Sequence, residues 1–464
     1  MRVLAAANFF PRGGSSHVAR ELARQIATLG WDVTLVSGSR SDLGPAADAG
    51  AFYSGIDVRP VDFTPALGSP DPMLFDGGPG TAPMHPSFED RPEAADPVFA
   101  ALDDERFELQ VSAWARELER ADAAGADVLH LHHITPIHEA AARVAPDVPV
   151  VGQVHGTELL MLEEIAAGPP AGWEYAERWV ERMRGWAARC ERILTAPANL
   201  DRVVELLGAE RERLVPTPNG FDPELFQPRE LDRVAHWRRH LVDEPLGWAP
   251  GEEPGSVTYA PEEIEVLSEG PVILYVGRFT EVKRIPVLIR AFARASGSFE
   301  TPASLVILGG YPGEWEGEHP ADAIAASGAE HVFLAGWHGH DELPGFINAS
   351  DALAMPSVRE SFGQVMVEAM ACARPVVSAR TFSSVGIVDD GLTGWLVPPD
   401  EVDGMAEALV EVVNDSAERA RRGAAAREAA LERYSWPSIA ARVAEVLREA
   451  AAGEKPNGEA GSDG

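Results

Sequence analysis

MRVLAAANFFPRGGSSHVARELARQIATLGWDVTLVS, residues 1–37, reads as strand, glycine turn, helix and second strand. Val3 to Phe10 form an apolar run, and Pro11 to Ser16 carry the turn. From His17 to Leu29 the residues Val18, Leu22, Ile26 and Leu29 recur at helical spacing. Gly30 stands where a helix C-cap is expected, and Trp31 to Ser37 supply the next strand. A strand that returns through a helix pairs parallel with its successor, so this stretch predicts a βαβ unit and a parallel sheet.

The same alternation extends outward. A helix near 103–124, a strand Val128–His132, a helix over 136–144 and a strand Val148–Val154 running into His155 are expected. A helical stretch over 173–190, a strand Ile193–Ala196 and a helix 199–207 follow. The string LVPTPNGFDPELFQP carries four prolines and reads as an interdomain connection, with a boundary near 216. A second series of strands is expected at 272–276, 304–308, 331–334, 352–355 and 375–378. Helices near 404–414 and 417–432, a break at Trp436-Pro437 and a last helix to about 450 complete it. The expected fold class is α/β, with two doubly wound Rossmann-like domains facing each other across a cleft. Residues 1–215 with the helix 436–450 form one domain, 216–435 the other, and 451–464 a disordered tail. Two stretches lack periodicity: 60–100, rich in Pro, Gly and Asp, reads as a long surface loop over the cleft, and 229–270 as an irregular insertion.

A chain of 464 residues exceeds what a single core usually serves, in agreement with two domains. No apolar run approaches the roughly 18 residues that cross a bilayer, so stable membrane insertion is not expected. The apolar amino terminus lacks a charged leader and a small-residue cleavage site, and a cytoplasmic location is expected. Cys190 and Cys372 are too few for a disulfide framework and read as small buried hydrophobes. With 73 acidic and 39 basic residues the net charge is −34, which opposes binding to nucleic acid or anionic lipid. An anionic ligand therefore needs a local positive site. Of the 39 basic residues 37 are Arg, and Lys455 in the polar tail is the only lysine besides Lys283.

Arg278 and Lys283 follow the strand that ends at Val276-Gly277, five residues apart, where a doubly wound sheet binds its ligands. Both can reach one anion, and a pyrophosphate is the natural guest, because its charge rises as it leaves a sugar. The alternative is a pair of solvated cations on a loop. In a chain that uses Arg almost throughout, a lone Lys points to a site wanting a compact ammonium. After the strand Ala352–Met355, the run Arg359-Glu360-Ser361-Phe362-Gly363-Gln364 opens a helix that carries Glu368. Backbone N–H groups from Ser361 to Gln364 would point out of its N-terminus. Glu360 and Glu368 could then meet different parts of an extended ligand; otherwise Glu360 caps the helix and Glu368 is a surface charge. His130, His132 and His133 cluster at another strand end. They read as structural rather than metal-ligating, because no carboxylate motif accompanies them.

Together these residues resemble glycosyltransferase family 4, retaining enzymes of the GT-B type with a G-R-[FL]-x-x-x-K-[GR] turn and an E-x7-E element. Here the two stand as Gly277-Arg278-Phe279-Thr280-Glu281-Val282-Lys283-Arg284 and as Glu360 through Glu368. The resemblance extends to Gly13-Gly14-Ser15, His155-Gly156-Thr157-Glu158, Pro218-Asn219-Gly220-Phe221-Asp222 and Asp390 through Val397. It implies that Arg278 and Lys283 bind the donor diphosphate, Glu360 the donor sugar and Glu368 the nucleotide ribose. Ser361, Phe362, Gly363 and Gln364 would line the donor, His155 would face the reacting sugar, and Gly13 and Gly14 would let the backbone approach the diphosphate or acceptor. The activity implied is metal-independent transfer of a hexosyl group from a nucleoside diphosphate sugar, a co-substrate with no further cofactor, to a small-molecule or glycan acceptor. Where the family often has V-G-G-x-P-E, this chain has Thr381-Phe382-Ser383-Ser384-Val385-Gly386, so the donor sugar is not carried over. Competing expectations are a mannosyltransferase with a lipid acceptor, a noncatalytic sugar-nucleotide binder, and a dinucleotide oxidoreductase. The last is disfavoured because no G-x-G-x-x-G follows a strand.

Overall fold

The computed structural model describes residues 1–11, 14–89, 96–310, 315–360 and 362–453. The chain divides into two compact units, Met1–Asn219 with the segment from Trp436 onward, and Gly220–Ser435. The first holds β1 (Arg2–Ala7), β2 (Asp32–Ser39), β3 (Asp57–Asp62), β4 (Val128–His132), β5 (Val150–Val154), β6 (Arg192–Thr195) and β7 (Leu214–Pro216). They form one parallel sheet in the order β3-β2-β1-β4-β5-β6-β7. The second holds β8 (Val272–Gly277), β9 (Ser304–Gly309), β10 (Val332–Gly336), β11 (Ala352–Met355), β12 (Val376–Ala379) and β13 (Gly394–Val397). Their order is β10-β9-β8-β11-β12-β13, again parallel. In each sheet the strand order reverses once, between β1 and β4 and between β8 and β11. These reversals are the switch points at which doubly wound sheets bind ligands. Both units are doubly wound α/β sheets.

The strands read as unbroken apolar runs because both faces of each sheet are covered. In β1, Val3 packs with Val18, Leu22 and Ile26 of the helix Gly14–Thr28 on one face, while Leu4 and Ala6 pack with Leu129 and Leu131 on the other. That helix stops one residue early: Leu29 lies beyond it and is 50% exposed, and Gly30 turns the chain at φ 82°.

The stretch read as a surface loop is in large part interior. It begins as β3 and continues through short 3₁₀ turns at Thr64–Gly68 and Pro72–Leu74, and Phe63, Met73, Met84, His85, Phe88 and Phe99 are buried. Gln110 of the helix Asp104–Arg120 donates to the Met84 carbonyl at 2.7 Å, so side chains satisfy the irregular backbone. The insertion also joins a core: Trp237 on the helix Arg233–Arg238, Leu241 and Trp248 are buried in the second unit. The helix Thr157–Ala167 and the strands β7 and β13 went unread as elements. Thr381–Gly386 supplies the N-cap and most of the helix Phe382–Ile387, with a capping box between Thr381 and Ser384. Cys190 and Cys372 are free and buried, and burial pushes both thiols up to about 12. The tail 454–464 lies outside the described residues.

Candidate functional site

In the second unit the chemistry gathers beyond the carboxyl ends of β8 and β11, the two strands flanking the switch point. Arg278 is exposed directly after β8. Its carbonyl accepts from the Tyr275 hydroxyl at 3.2 Å, which ties the start of the turn to the strand. Among the described residues its guanidinium has no ion-pair partner. A 3₁₀ turn over Glu281–Lys283 follows, and Arg284 takes a left-handed φ of 52° to start the helix Ile285–Ala295.

From that turn Lys283 Nζ reaches Glu360 Oε1 at 2.6 Å, with side chains only 16% and 13% exposed. Glu360 comes from the loop after β11, so the pair spans the switch point. Burial, with the Glu360 charge adding to it, raises the Tyr275 phenol well above its usual range and keeps it neutral.

Glu368 is not a surface charge: it is buried within the helix Gln364–Ala371. One carboxylate oxygen takes His340 Nε2 at 2.8 Å and Gln364 Nε2 at 3.1 Å, and the Gln364 amide also donates to the Gly220 carbonyl at 2.9 Å. Hydrogen bonding to Glu368 raises the His340 pKa. His340 sits 28 residues from its partner on the loop after β10, where no local motif marked it. Gly363 caps the helix at φ 98°, a left-handed conformation that favours glycine over any residue with a Cβ. Phe362 packs edge-on against Tyr434 rather than standing free at the helix tip. Gly13 and Ser361 lie outside the described residues; Gly14 is exposed and opens its helix.

In the first unit His155 follows β5 and meets the histidines that end β4. Its Nε2 lies 3.1 Å from His132 Nδ1, and its ring 4.5 Å from that of His133. Here a carboxylate does accompany the histidines: Glu158 is buried, 3.3 Å from His133 Nδ1. It also accepts the backbone N–H groups of His155 at 3.1 Å and Gly156 at 2.8 Å. Burial alone would raise the Glu158 pKa, but His133, through its charge and its hydrogen bond, and then His155 bring it to about 2. Burial, reinforced by the neighbouring imidazoles, lowers His132 and His155 well below the usual histidine range. Sequence distance again hid the pairing, since His133 and Glu158 stand 25 positions apart.

A family model of group 1 glycosyl transferases matches residues 260–429, and one of glycosyltransferase family 4 matches residues 12–225. A D-inositol 3-phosphate glycosyltransferase of Kineococcus radiotolerans is 30% identical over 66% of this chain and 67% of its own length. This chain belongs to the glycosyltransferases. A second D-inositol 3-phosphate glycosyltransferase, from Xylanimonas cellulosilytica, is 28% identical over 84% of this glycosyltransferase and 86% of its own length. A glycogen synthase of Mycobacterium tuberculosis is 27% identical over 81% and 86% of the respective chains. The fold is shared with a Rickettsia africae glycosyltransferase, at TM-score 0.63 and 14% identity over 97% and 98% of the two chains. Anabaena HepE in complex with UDP and glucose shares it too, at 0.60 and 17% over 96% and 99%. Among the described residues no helix is long and apolar enough to cross a membrane.

Proposed function

We propose that this glycosyltransferase moves a hexosyl group from a nucleoside diphosphate sugar to an acceptor hydroxyl, with retention of configuration and no divalent ion at the diphosphate. The observation that carries the reading is the Lys283–Glu360 pair across the β8/β11 switch point. A charge-balanced pair suits a site that awaits an anion. An arriving diphosphate takes the ammonium with Arg278, and Glu360 is released to accept hydrogen bonds from sugar hydroxyls. Glu368, oriented by His340 and Gln364, is placed to accept from a ribose diol. His155, kept neutral by burial, offers a hydrogen-bonding imidazole to a hydroxyl of the reacting sugar. HepE, which shares the fold, is known with UDP and with UDP-glucose, and this supports a nucleotide-sugar donor.

In the reaction the acceptor oxygen bonds to the anomeric carbon on the face from which the diphosphate leaves. The carbon–oxygen bond to phosphate breaks, and the acceptor's proton passes to the departing phosphate oxygen. Fixed positive charge at that oxygen stabilises the transition state more than the ground state.

The test is a thermal-shift screen of UDP-, GDP- and ADP-sugars, since a ligand of the folded state raises its apparent stability. Nucleoside diphosphate release with acceptors and the anomeric configuration of the product are then measured. We expect one base to stabilise the protein, the product to keep the donor's anomeric configuration, and added Mg²⁺ or Mn²⁺ to leave turnover unchanged. An inverted product overturns retention, and binding without diphosphate release overturns catalysis.

A further inference from the structure

Apart from the donor site, the second unit gathers a set of metal-ligating side chains from distant parts of the chain. His240 lies in a π turn, Arg239–Asp243, that continues the helix Arg233–Arg238, and π turns of this kind often mark functional positions. His338 and Glu342 lie on the loop between β10 and the helix Leu343–Asn348. One ligand atom from each of the three lies within 4.8 Å of the others.

The hydrogen bonding of His338 orients the cluster. Its Nε2 is 3.2 Å from the Ala335 carbonyl, which can only accept, so that nitrogen carries the proton. With Nε2 bonded to that carbonyl, Nδ1 is the atom directed at a Glu342 carboxylate oxygen 3.4 Å away, so the two ligand atoms face one another across the space a cation would fill. An imidazole whose far N–H is fixed on a backbone carbonyl is the usual arrangement of a metal-bound histidine. In a tetrahedron with bonds of about 2.1 Å, ligand atoms stand about 3.4 Å apart, which the His338–Glu342 pair already matches. His240 is buried, and its ring lies 4.8 Å from that of His338. Phe346 packs against both rings at 4.5 Å and holds them in place.

We propose that His240, His338 and Glu342 bind a transition-metal ion of the zinc class, with water in the fourth position. Two imidazoles and a carboxylate suit zinc rather than magnesium or calcium, which prefer all-oxygen shells. The ion pins the 337–342 loop to the π turn, and the same loop delivers His340 to Glu368. The site is independent of the donor reading, because its ligands are none of the donor residues.

The experiment is a Co²⁺ titration, followed by visible absorption, of full-length protein without an affinity tag after chelator treatment, with Zn²⁺ as competitor. We expect one saturable equivalent per chain, displaced by Zn²⁺, and a thermal midpoint raised by Zn²⁺. His240→Gln and His338→Gln should each weaken binding by at least about 100-fold, and Glu342→Gln, at a half-exposed position that tolerates exchange, by about 10-fold. Wild-type protein that binds Co²⁺ no more tightly than Glu342→Gln, or without a defined stoichiometry, overturns the proposal and leaves an imidazolium–carboxylate pair in its place.

Discussion

Lys283 is one ammonium in a chain whose other described cations are guanidinium groups, apart from its histidines and amino terminus, and its partner explains the choice. An ammonium is a compact charge that can leave Glu360 for a phosphate oxygen, whereas a guanidinium would grip the carboxylate through two parallel bonds. Lys283→Ala is expected to lower turnover by about 10²- to 10³-fold, the loss typical of one transition-state charge stabiliser. It also strands a carboxylate that is 13% exposed, so the denaturation midpoint should fall by the equivalent of about 1–3 kcal/mol while the circular dichroism stays native. Lys283→Arg should recover stability without recovering turnover. Steady-state kinetics beside urea unfolding separate the two effects, and near-normal turnover in Lys283→Ala would refute the assignment of the lysine to the donor phosphate.

The ends of β4 and β5 set a pH dependence that belongs to the elements rather than to one side chain. Burial lowers His130 to about 4, against the opposing bond from Gln153, and lowers the adjacent His138 to about 3. In the unfolded chain these rings protonate near 6.5, so the stability they contribute is full above that pH and is lost as pH falls through 4 and 3. Glu158 adds a term of the same sign, full above about 4.3 and lost as pH falls toward 2. Thermal unfolding between pH 7.5 and 4 at constant ionic strength should show the first unit losing on the order of 3 kcal/mol per buried histidine at the acid limit. A flat profile, or a His130 ring that titrates near 6.5 by NMR, would contradict this. The strands β4 and β5 were legible in sequence to within a residue or two, because buried parallel strands are continuous apolar runs. Spacing on single loops and helices also singled out Arg278, Lys283, Glu360 and Glu368, and the structure sets the first two after β8 and the others after β11. What stayed hidden was whatever depends on the tertiary fold. Residues 63–89 bury Phe63, Met84 and Phe88 along an irregular chain with no period to read. Glu158 and His133 meet because the neighbouring strands β4 and β5 end side by side, and His340 meets Glu368 from the loop after β10, which β9 and β8 separate from β11.

At the scale of the whole molecule, the net charge of −34 places a self-repulsive surface around two separately packed units, so each core must hold its own unit together. The chain crosses from the first unit to the second at Asn219 and returns at Trp436, which makes the last helix, Trp436–Ala452, part of the first unit's core. Ile439, Val443 and Leu447 are buried there against Val3, Val33, Val128 and Val151, side chains of β1, β2, β4 and β5 that face away from Leu4 and Leu129. At about 1.5–3 kcal/mol for each of the three, their burial contributes roughly 5–9 kcal/mol, comparable to the whole stability of an ordinary domain. Ending the chain after Ser435 should therefore unfold the first unit selectively. The second keeps its own closing contacts, in which Phe221 N–H donates to the Tyr434 carbonyl at 2.9 Å and the Tyr434 hydroxyl to that of Gly386 at 2.8 Å. Hydrogen exchange on the shortened chain should show amides of β1, β4 and β5 losing protection while those of β8, β9 and β11 keep theirs. Protection of β1 retained at the full-length level would mean that the returning helix is an accessory of that sheet rather than one of its faces.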